Sequence, residues 1–104
     1  EALGLIEKSG LNRTTALEVL TGGAPGSPLV KLLTTRMTKP DYTPNFLLHL
    51  MAKDLSYAAE EGRQRSVELT TAAAALGVFN RAIAAGHGDK DMSAVVEPLR
   101  EANA

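Results

Sequence analysis

Apolar positions at helical spacing dominate this chain, and the longest such pattern lies near its centre. Between residues 46 and 61, apolar side chains recur every three or four positions, which predicts a long, mostly buried helix. Pro44 fixes the start of this helix and Gly62 is its predicted stop. At about 1.5 Å per residue the helix would be roughly 24 Å long, enough to cross a small domain. The apolar positions are Phe46, Leu47, Leu50, Met51, Leu55, Ala58 and Ala59.

Lys53 interrupts this apolar pattern. It follows Phe46 by seven residues, so both are expected on one side of the helix, with His49 between them. An ammonium beside an aromatic ring and an imidazole would suit an anionic or polar ligand. The alternative is a lysine that buries its methylenes and keeps its charge in water, with Asp54 as an ordinary surface residue. The residues alone leave both interpretations open.

Three shorter helices are predicted before this segment. The first ends at Ser9 with Gly10 as its C-terminal cap, and the second covers Arg13 to Leu20 with Asn12 or Thr14 as its cap. Residues 21–26 are rich in glycine and proline and form a loop. The third helix starts at Ser27-Pro28 and ends before Lys39-Pro40, and residues 41–45 form an extended loop.

Two further helices are predicted after it. Residues 60–66 are polar and indicate a solvated turn. A stripe from Leu69 to Ile83 with many alanines then predicts a helix that is buried on more than one side. Asp91 caps a final helix with Ala94, Val95 and Leu99 inward, in which Pro98 predicts a kink or an early end. No alternating β-branched run predicts a strand, so the expected fold is an all-α bundle of about five or six helices in one domain, residues 1–104.

Composition narrows the function classes. Of the 104 residues 44% are hydrophobic and 22% charged, with a formal net charge of −1, so no basic surface favours nucleic acid. Cysteine is absent, which excludes disulfides and thiolate metal sites. The longest uncharged run, from Leu69 to Asn80, is shorter than the about 18 apolar residues that span a membrane. No signal peptide is visible, and a cytoplasmic location is expected by default.

The sequence contains no complete active site. Only two histidines occur, and neither lies in a recognisable nucleophile motif. His87, Asp89 and Asp91 lack the spacing of a calcium loop, so no metal site is predicted and helix capping by Asp91 is the simpler account. The chain also starts at Glu1 within a helical pattern that has no preceding cap residue, which indicates a fragment of a longer polypeptide.

Four stretches, in order along nearly the whole chain, resemble the β-hydroxyacid dehydrogenases of the 3-hydroxyisobutyrate dehydrogenase group. The third of them, which contains Lys53, resembles the signature helix of that family. They are Glu1-Ala2-Leu3 with Lys8-Ser9-Gly10-Leu11, then Asp41-Tyr42-Thr43-Pro44-Asn45-Phe46, then Phe46 with Lys53-Asp54-Leu55 and Ala58, and last Gly86-His87-Gly88-Asp89-Lys90-Asp91-Met92-Ser93-Ala94.

The resemblance implies a helical C-terminal domain like that of 6-phosphogluconate dehydrogenase, in a parent whose Rossmann domain and most of whose interdomain helix lie upstream. It implies NAD or NADP as cofactor, a small 3-hydroxy acid as substrate, and a homodimer or larger homo-oligomer. Lys53, Phe46 and Asp54 match the cofactor-binding motif, Asp54 as a residue that orients the lysine, whereas no catalytic residue of the family falls in this fragment. The isolated chain is therefore expected to be inactive. The alternative is a non-catalytic helical interaction module whose family pattern is coincidental.

Overall fold

Short capped helices make up this protein. In the computed structural model, which describes residues 1–101, six α-helices and one 3₁₀ helix follow one another without a named strand. This confirms the predicted all-α fold. The α-helices are α1 Ala2–Ser9, α2 Arg13–Gly22, α3 Pro28–Thr38, α4 Leu48–Gln64, α5 Thr70–Ala84 and α6 Glu97–Glu101, and the 3₁₀ helix is Met92–Val96.

The predicted helix boundaries are accurate where a local cap sets them. Gly10 ends α1 in the left-handed region at φ 82°, which glycine adopts at little cost. The Asn12 side chain accepts the amide hydrogen of Thr15 at the start of α2, and Ser27 does the same for Val30 at the start of α3. Asp91 caps through Ser93 as predicted, although the turn that it starts is a 3₁₀ helix, and an α-helix follows only from Glu97.

The predicted stop at Gly62 is wrong. Helix α4 continues to Gln64, and Gly62 is buried within it. A methyl group on Gly62 would lie 2.7 Å from Leu69 Cγ and 2.8 Å from the Val67 carbonyl oxygen. Glycine therefore allows the chain to pass close to the helix, and does not end it. The residues predicted as a polar turn belong largely to α4, whose last turns carry the ion pairs Arg63–Glu60 and Arg65–Glu61.

Two small apolar clusters form the core, and the 3₁₀ helix joins them. Leu3 and Leu17 pack with Val96, whereas Leu48 and Ala82 pack with Ala94. Because Ala94 and Val96 lie in the same 3₁₀ helix, this short element connects the α1–α2 end of the molecule with the α4–α5 pair.

Helices α4 and α5 pack against each other more extensively than any other two elements, but each is buried along one face only. The predictions of a mostly buried α4 and of an α5 buried on more than one side are therefore wrong. Only Leu48, Ala52 and Gly62 of α4 and Ala82 of α5 are buried. The alanines of α5 satisfy the helical pattern, yet within residues 1–101 nothing packs against its outer face. No helix among these residues is both long and apolar enough to cross a membrane.

Candidate functional site

Lys53 lies on the exposed face of α4. Its ammonium nitrogen is 5.8 Å from the ring centroid of Tyr57, one turn further along the helix, which is within the range of a cation–π contact. None of the ion pairs found between residues 1 and 101 involves Lys53. The ammonium is thus presented to solvent beside an aromatic ring, and no carboxylate of the described chain neutralises it.

Phe46 is not part of α4, the helix that contains Lys53, which corrects the predicted start of that helix. Helix α4 begins at Leu48, and Phe46 is half-buried in the preceding loop. The backbone amide of Phe46 donates to Asp91 Oδ1 at 3.1 Å, and its carbonyl accepts from the Met92 amide at 2.8 Å. These bonds hold residue 46 in a non-helical conformation. The seven-residue spacing from Phe46 to Lys53 therefore does not place both on one helix face.

His49 and Asp54 complete the residues singled out from the sequence around Lys53. The Nδ1 atom of His49 lies 2.9 Å from the Gly88 carbonyl oxygen and 3.3 Å from Asp89 Oδ1. A carbonyl oxygen only accepts, so this contact requires the hydrogen on Nδ1. Asp54 is exposed and forms no ion pair with Lys53 within the described chain. Consecutive helix residues point about 100° apart, which explains why the two side chains do not meet.

Two of the stretches singled out from the sequence meet at the start of α4. We call residues 41–47 the lead-in loop and residues 86–93 the glycine–aspartate segment. The Leu48 amide donates to the Lys90 carbonyl at 2.9 Å, the His49 amide to the Gly88 carbonyl at 3.1 Å, and the Asp91 amide to the Tyr42 carbonyl at 2.9 Å. The first amides of α4 are therefore satisfied by the glycine–aspartate segment, in place of a side-chain cap.

Asp91 is the centre of this junction. Its carboxylate is almost fully buried and accepts from the amides of Asn45, Phe46 and Ser93 and from the Ser93 hydroxyl. Burial alone would raise the pKa of Asp91, but these hydrogen bonds outweigh it and hold the pKa at about 2. The carboxylate is thus ionised at neutral pH.

Arg36 is the residue of this junction that sequence reasoning missed. It lies near the end of α3, where it has the appearance of an ordinary surface charge, but it is buried. Its guanidinium donates to the carbonyls of Asp41 and Thr43, and its Nη1 lies 3.2 Å from Asp91 Oδ1. No signal in the sequence connects Arg36 with Asp91, since the two are far apart along the chain.

A cavity that Lys53 does not line is also present. It has a volume of about 460 Å³ at the end of the α4–α5 pair, lined by Ala59, Arg63, Ser66, Val67, Glu68, Leu69, Thr70 and Ala73. Among residues 1–101, no group of three or more histidines, aspartates or glutamates is placed to hold a metal ion. The chemistry available around Lys53 is therefore that of an exposed cation beside the Tyr57 ring.

Known proteins resemble this chain along almost all of its length. Glyoxylate/succinic semialdehyde reductase 1 of Arabidopsis thaliana is 39% identical over 96% of the chain, and 3-sulfolactaldehyde reductase of Escherichia coli K12 is 33% identical over 96%. A crystal structure of 3-hydroxyisobutyrate dehydrogenase from Salmonella typhimurium superposes with a TM-score of 0.86 at 29% identity, over 92% of the chain. The chain spans about a third of the length of these relatives, 35%, 34% and 34% respectively.

A protein-family model also matches almost the whole chain, residues 1–99. The alternative of a helical interaction module required the family pattern to be coincidental. A match along almost the whole chain contradicts such a coincidence. With relatives that are named as reductases and dehydrogenases of small hydroxy acids and aldehydes, it settles the family. The chain belongs to the family described as NAD-binding of NADP-dependent 3-hydroxyisobutyrate dehydrogenase, within the β-hydroxyacid dehydrogenases.

Proposed function

We propose that this chain is the C-terminal helical domain of an NAD(P)-dependent oxidoreductase that acts on a small 3-hydroxy acid similar to 3-hydroxyisobutyrate. The family membership and the names of the relatives support the reaction class. The all-helical architecture supports the position in the parent. A Rossmann unit requires a strand, a glycine-rich turn and a helix for the pyrophosphate, and residues 1–101 contain no named strand.

In this proposal the domain covers the cofactor and contributes to the substrate pocket, while the bound NAD(P) supplies or accepts the hydride. The observation that carries it is the exposed ammonium of Lys53, which has no carboxylate partner among the described residues. A compact cation of this kind suits an anionic oxygen of a cofactor or of a substrate carboxylate. Phe46 would lie beside the cofactor from the lead-in loop, and Asp54 belongs to the same motif.

Two corollaries concern the rest of the parent. The cofactor-binding fingerprint and the catalytic residues of the parent would come from outside these 104 residues, so the chain alone is expected to have no dehydrogenase activity. The domain would also provide contacts between subunits of a homodimer or a larger homo-oligomer, because several large apolar side chains are exposed on it.

The test is a substitution of Lys53 in the full-length parent enzyme. Lys53→Ala should leave the fold intact, because removal of an exposed side chain leaves no cavity. It should lower kcat/KM about 10- to 150-fold, which corresponds to the about 1.5–3 kcal/mol that a hydrogen bond to a charged group contributes. Reduction of NAD and of NADP would be followed with 3-hydroxyisobutyrate as the substrate. Lys31→Ala is the matched control, since Lys31 is also an exposed helical lysine.

Normal kinetics and normal cofactor binding in Lys53→Ala would contradict the assignment of Lys53. A parent that reduces neither NAD nor NADP with any small 3-hydroxy acid would contradict the proposed reaction class. A loss of activity that is equal in the Lys31→Ala control would also count against a specific role for Lys53.

A further inference from the structure

The lead-in loop has no regular secondary structure of its own. Residues 41–47 contain no helix, and their only ladder contact is an isolated antiparallel bridge between Leu47 and Asp91. Phe46 lies in this loop, one residue before the N-cap of α4. Its location therefore depends on contacts made by residues elsewhere in the chain.

Asp91 provides these contacts from 45 and 46 positions away in the sequence. Its Oδ1 atom accepts from the Asn45 amide at 2.9 Å and from the Phe46 amide at 3.1 Å. Two adjacent amides that converge on one buried oxygen restrict the orientation of both peptide planes. A cap for the 3₁₀ helix alone would need only the bond from Ser93 to the other carboxylate oxygen.

Arg36 binds the first part of the same loop. Its Nε donates to the Asp41 carbonyl at 2.8 Å, and its Nη2 donates to the Thr43 carbonyl. Nη1 is buried and has no hydrogen-bond partner, although it lies 3.2 Å from Asp91 Oδ1. The two charged side chains thus contact each other and between them bind four backbone groups of the loop.

A buried ion pair of this kind contributes little to net stability, because desolvation of both charges offsets their attraction. The pair instead restricts the loop, since a planar guanidinium and a carboxylate fix the backbone in one conformation. Arg36 and Asp91 thus fix the conformation in which the lead-in loop enters α4.

We propose that Asp91 is a positioning residue that, together with Arg36, sets the location of Phe46 and the start of α4 for cofactor binding. The inference rests on the proposed function, in which Phe46 lies beside the cofactor. Neither Asp91 nor Arg36 contacts the cofactor in this proposal. Both act through the backbone of the lead-in loop.

The experiment uses Asp91→Ala in the full-length parent. We expect faster hydrogen exchange at the Asn45 and Phe46 amides, and a rise of about tenfold in the dissociation constant and the KM for NADPH or NADH, since each tenfold loss of affinity corresponds to about 1.4 kcal/mol of lost contact. The kcat at saturating cofactor should change much less. Leu17→Ala is the control. Leu17 is buried in the other apolar cluster, so its substitution should lower the stability of the protein without removing a contact to the loop.

Arg36→Lys provides a second variant if Asp91→Ala does not fold. Lysine keeps a positive charge near Asp91 but lacks the planar fork that donates to the Asp41 and Thr43 carbonyls. It should weaken cofactor binding in the same direction, with faster exchange in the loop.

The inference is overturned if a folded variant at either position keeps slow exchange at Asn45 and Phe46 and normal cofactor affinity. It is also overturned if Leu17→Ala weakens cofactor binding as much, since the effect would then be general loosening. Failure of the proposed function has a different signature. In that case Lys53→Ala has normal kinetics and normal cofactor binding. If Lys53→Ala is impaired while the folded Asp91→Ala and Arg36→Lys variants behave normally, only the positioning role is refuted.

Discussion

Arg100 and Glu7, which are 93 positions apart in the sequence, form a bidentate ion pair that joins α6 to α1. Arg100 Nε donates to Glu7 Oε1 at 2.8 Å, and Nη2 donates to Oε2 at 3.0 Å. Arg100 also donates to Glu97 at 2.8 Å and to the Met37 carbonyl at 2.8 Å. A single guanidinium thus connects α1, α6 and the end of α3.

Neutralising Glu7 should weaken this connection. The hydrogen bond from Arg100 holds the pKa of Glu7 below its usual value of 4.5. A lowered pKa means that the stabilisation is complete above that value and is lost as pH falls through the lower, folded-state pKa. We expect Glu7→Gln to reduce the free energy of unfolding at neutral pH by about 1–3 kcal/mol, measured by urea denaturation.

The matched control for Glu7 is Glu60→Gln, because Glu60 also accepts from an arginine through both oxygens, but on the exposed surface of α4. Its effect should be within the small range of exposed ion pairs. An equal loss of stability in the two variants would show that burial and long-range connection do not distinguish Glu7.

Gly62→Ala should destabilise the protein, although alanine is the better helix former. The added methyl would lie 2.8 Å from the Val67 carbonyl oxygen, a backbone atom that cannot move without shifting the chain after α4. We expect a loss of about 1–3 kcal/mol, as for other overpacked sites, in thermal or urea unfolding.

Gly77→Ala provides the opposite expectation within the same pair of helices. Gly77 is exposed within α5, and a methyl group there meets nothing within 4 Å. The substitution should therefore stabilise the protein by the propensity difference of about 0.8–1 kcal/mol. If both substitutions shift stability in the same direction, close packing at Gly62 is not the reason for that glycine.

The sequence predicted those features of the fold that local interactions determine. Gly10, Asn12 and the pair Ser27-Pro28 mark helix ends because each contacts backbone groups within a few residues, so the pattern and the structure agree. The predicted helix stop at Gly62 was wrong because glycine, which often ends helices, also allows another segment to approach closely. The approach of Leu69 and Val67 is a tertiary fact that no local pattern contains.

The candidate site was predicted only in part for the same reason. Lys53 and its helix follow from periodicity, but the displacement of Phe46 from that helix depends on bonds to Asp91, 45 positions later. Arg36 carries no sequence signal, because burial turns an ordinary-looking helix arginine into the partner of the Asp41 and Thr43 carbonyls. Long-range polar contacts of this kind become visible only in the folded structure.

The Asp91 carboxylate should give the protein a defined acid sensitivity. Its pKa is held at about 2, below the ordinary value of 3.8, so its stabilisation is complete above pH 3.8 and disappears as pH falls towards 2. The difference corresponds to roughly 2–3 kcal/mol, because one pKa unit is about 1.4 kcal/mol. The measurement is the free energy of unfolding by urea at a series of pH values between 2 and 5.

Asp91→Asn tests the origin of this dependence. The amide cannot ionise, so the variant should be less stable at neutral pH and should lose the part of the acid slope that Asp91 contributes. A parallel pH profile in the original protein and in Asp91→Asn would contradict the assignment of that slope to Asp91.

The isolated chain should self-associate through the surface formed by α1 and the outer face of α5. Leu5 is 73% exposed on α1, and it lines a groove of about 220 Å³ together with Gly4 and Leu99. A second groove runs from Glu1 over α5, lined further by Thr71, Ala74, Ala75, Val78, Phe79 and Val95. Apolar surface that continues across two elements usually marks an interface.

Sedimentation velocity at increasing concentration is the appropriate measurement, and Leu5→Lys should shift the chain towards monomer because a charge would be desolvated in the interface. Leu29→Lys is the matched control: Leu29 is a leucine on α3 with 51% exposure, and its substitution should leave the association unchanged. A monomer at all concentrations would refute the interface itself. Equal dissociation by both lysine variants would show that the association reflects general hydrophobicity, since a specific surface on α1 and α5 would respond to Leu5→Lys alone.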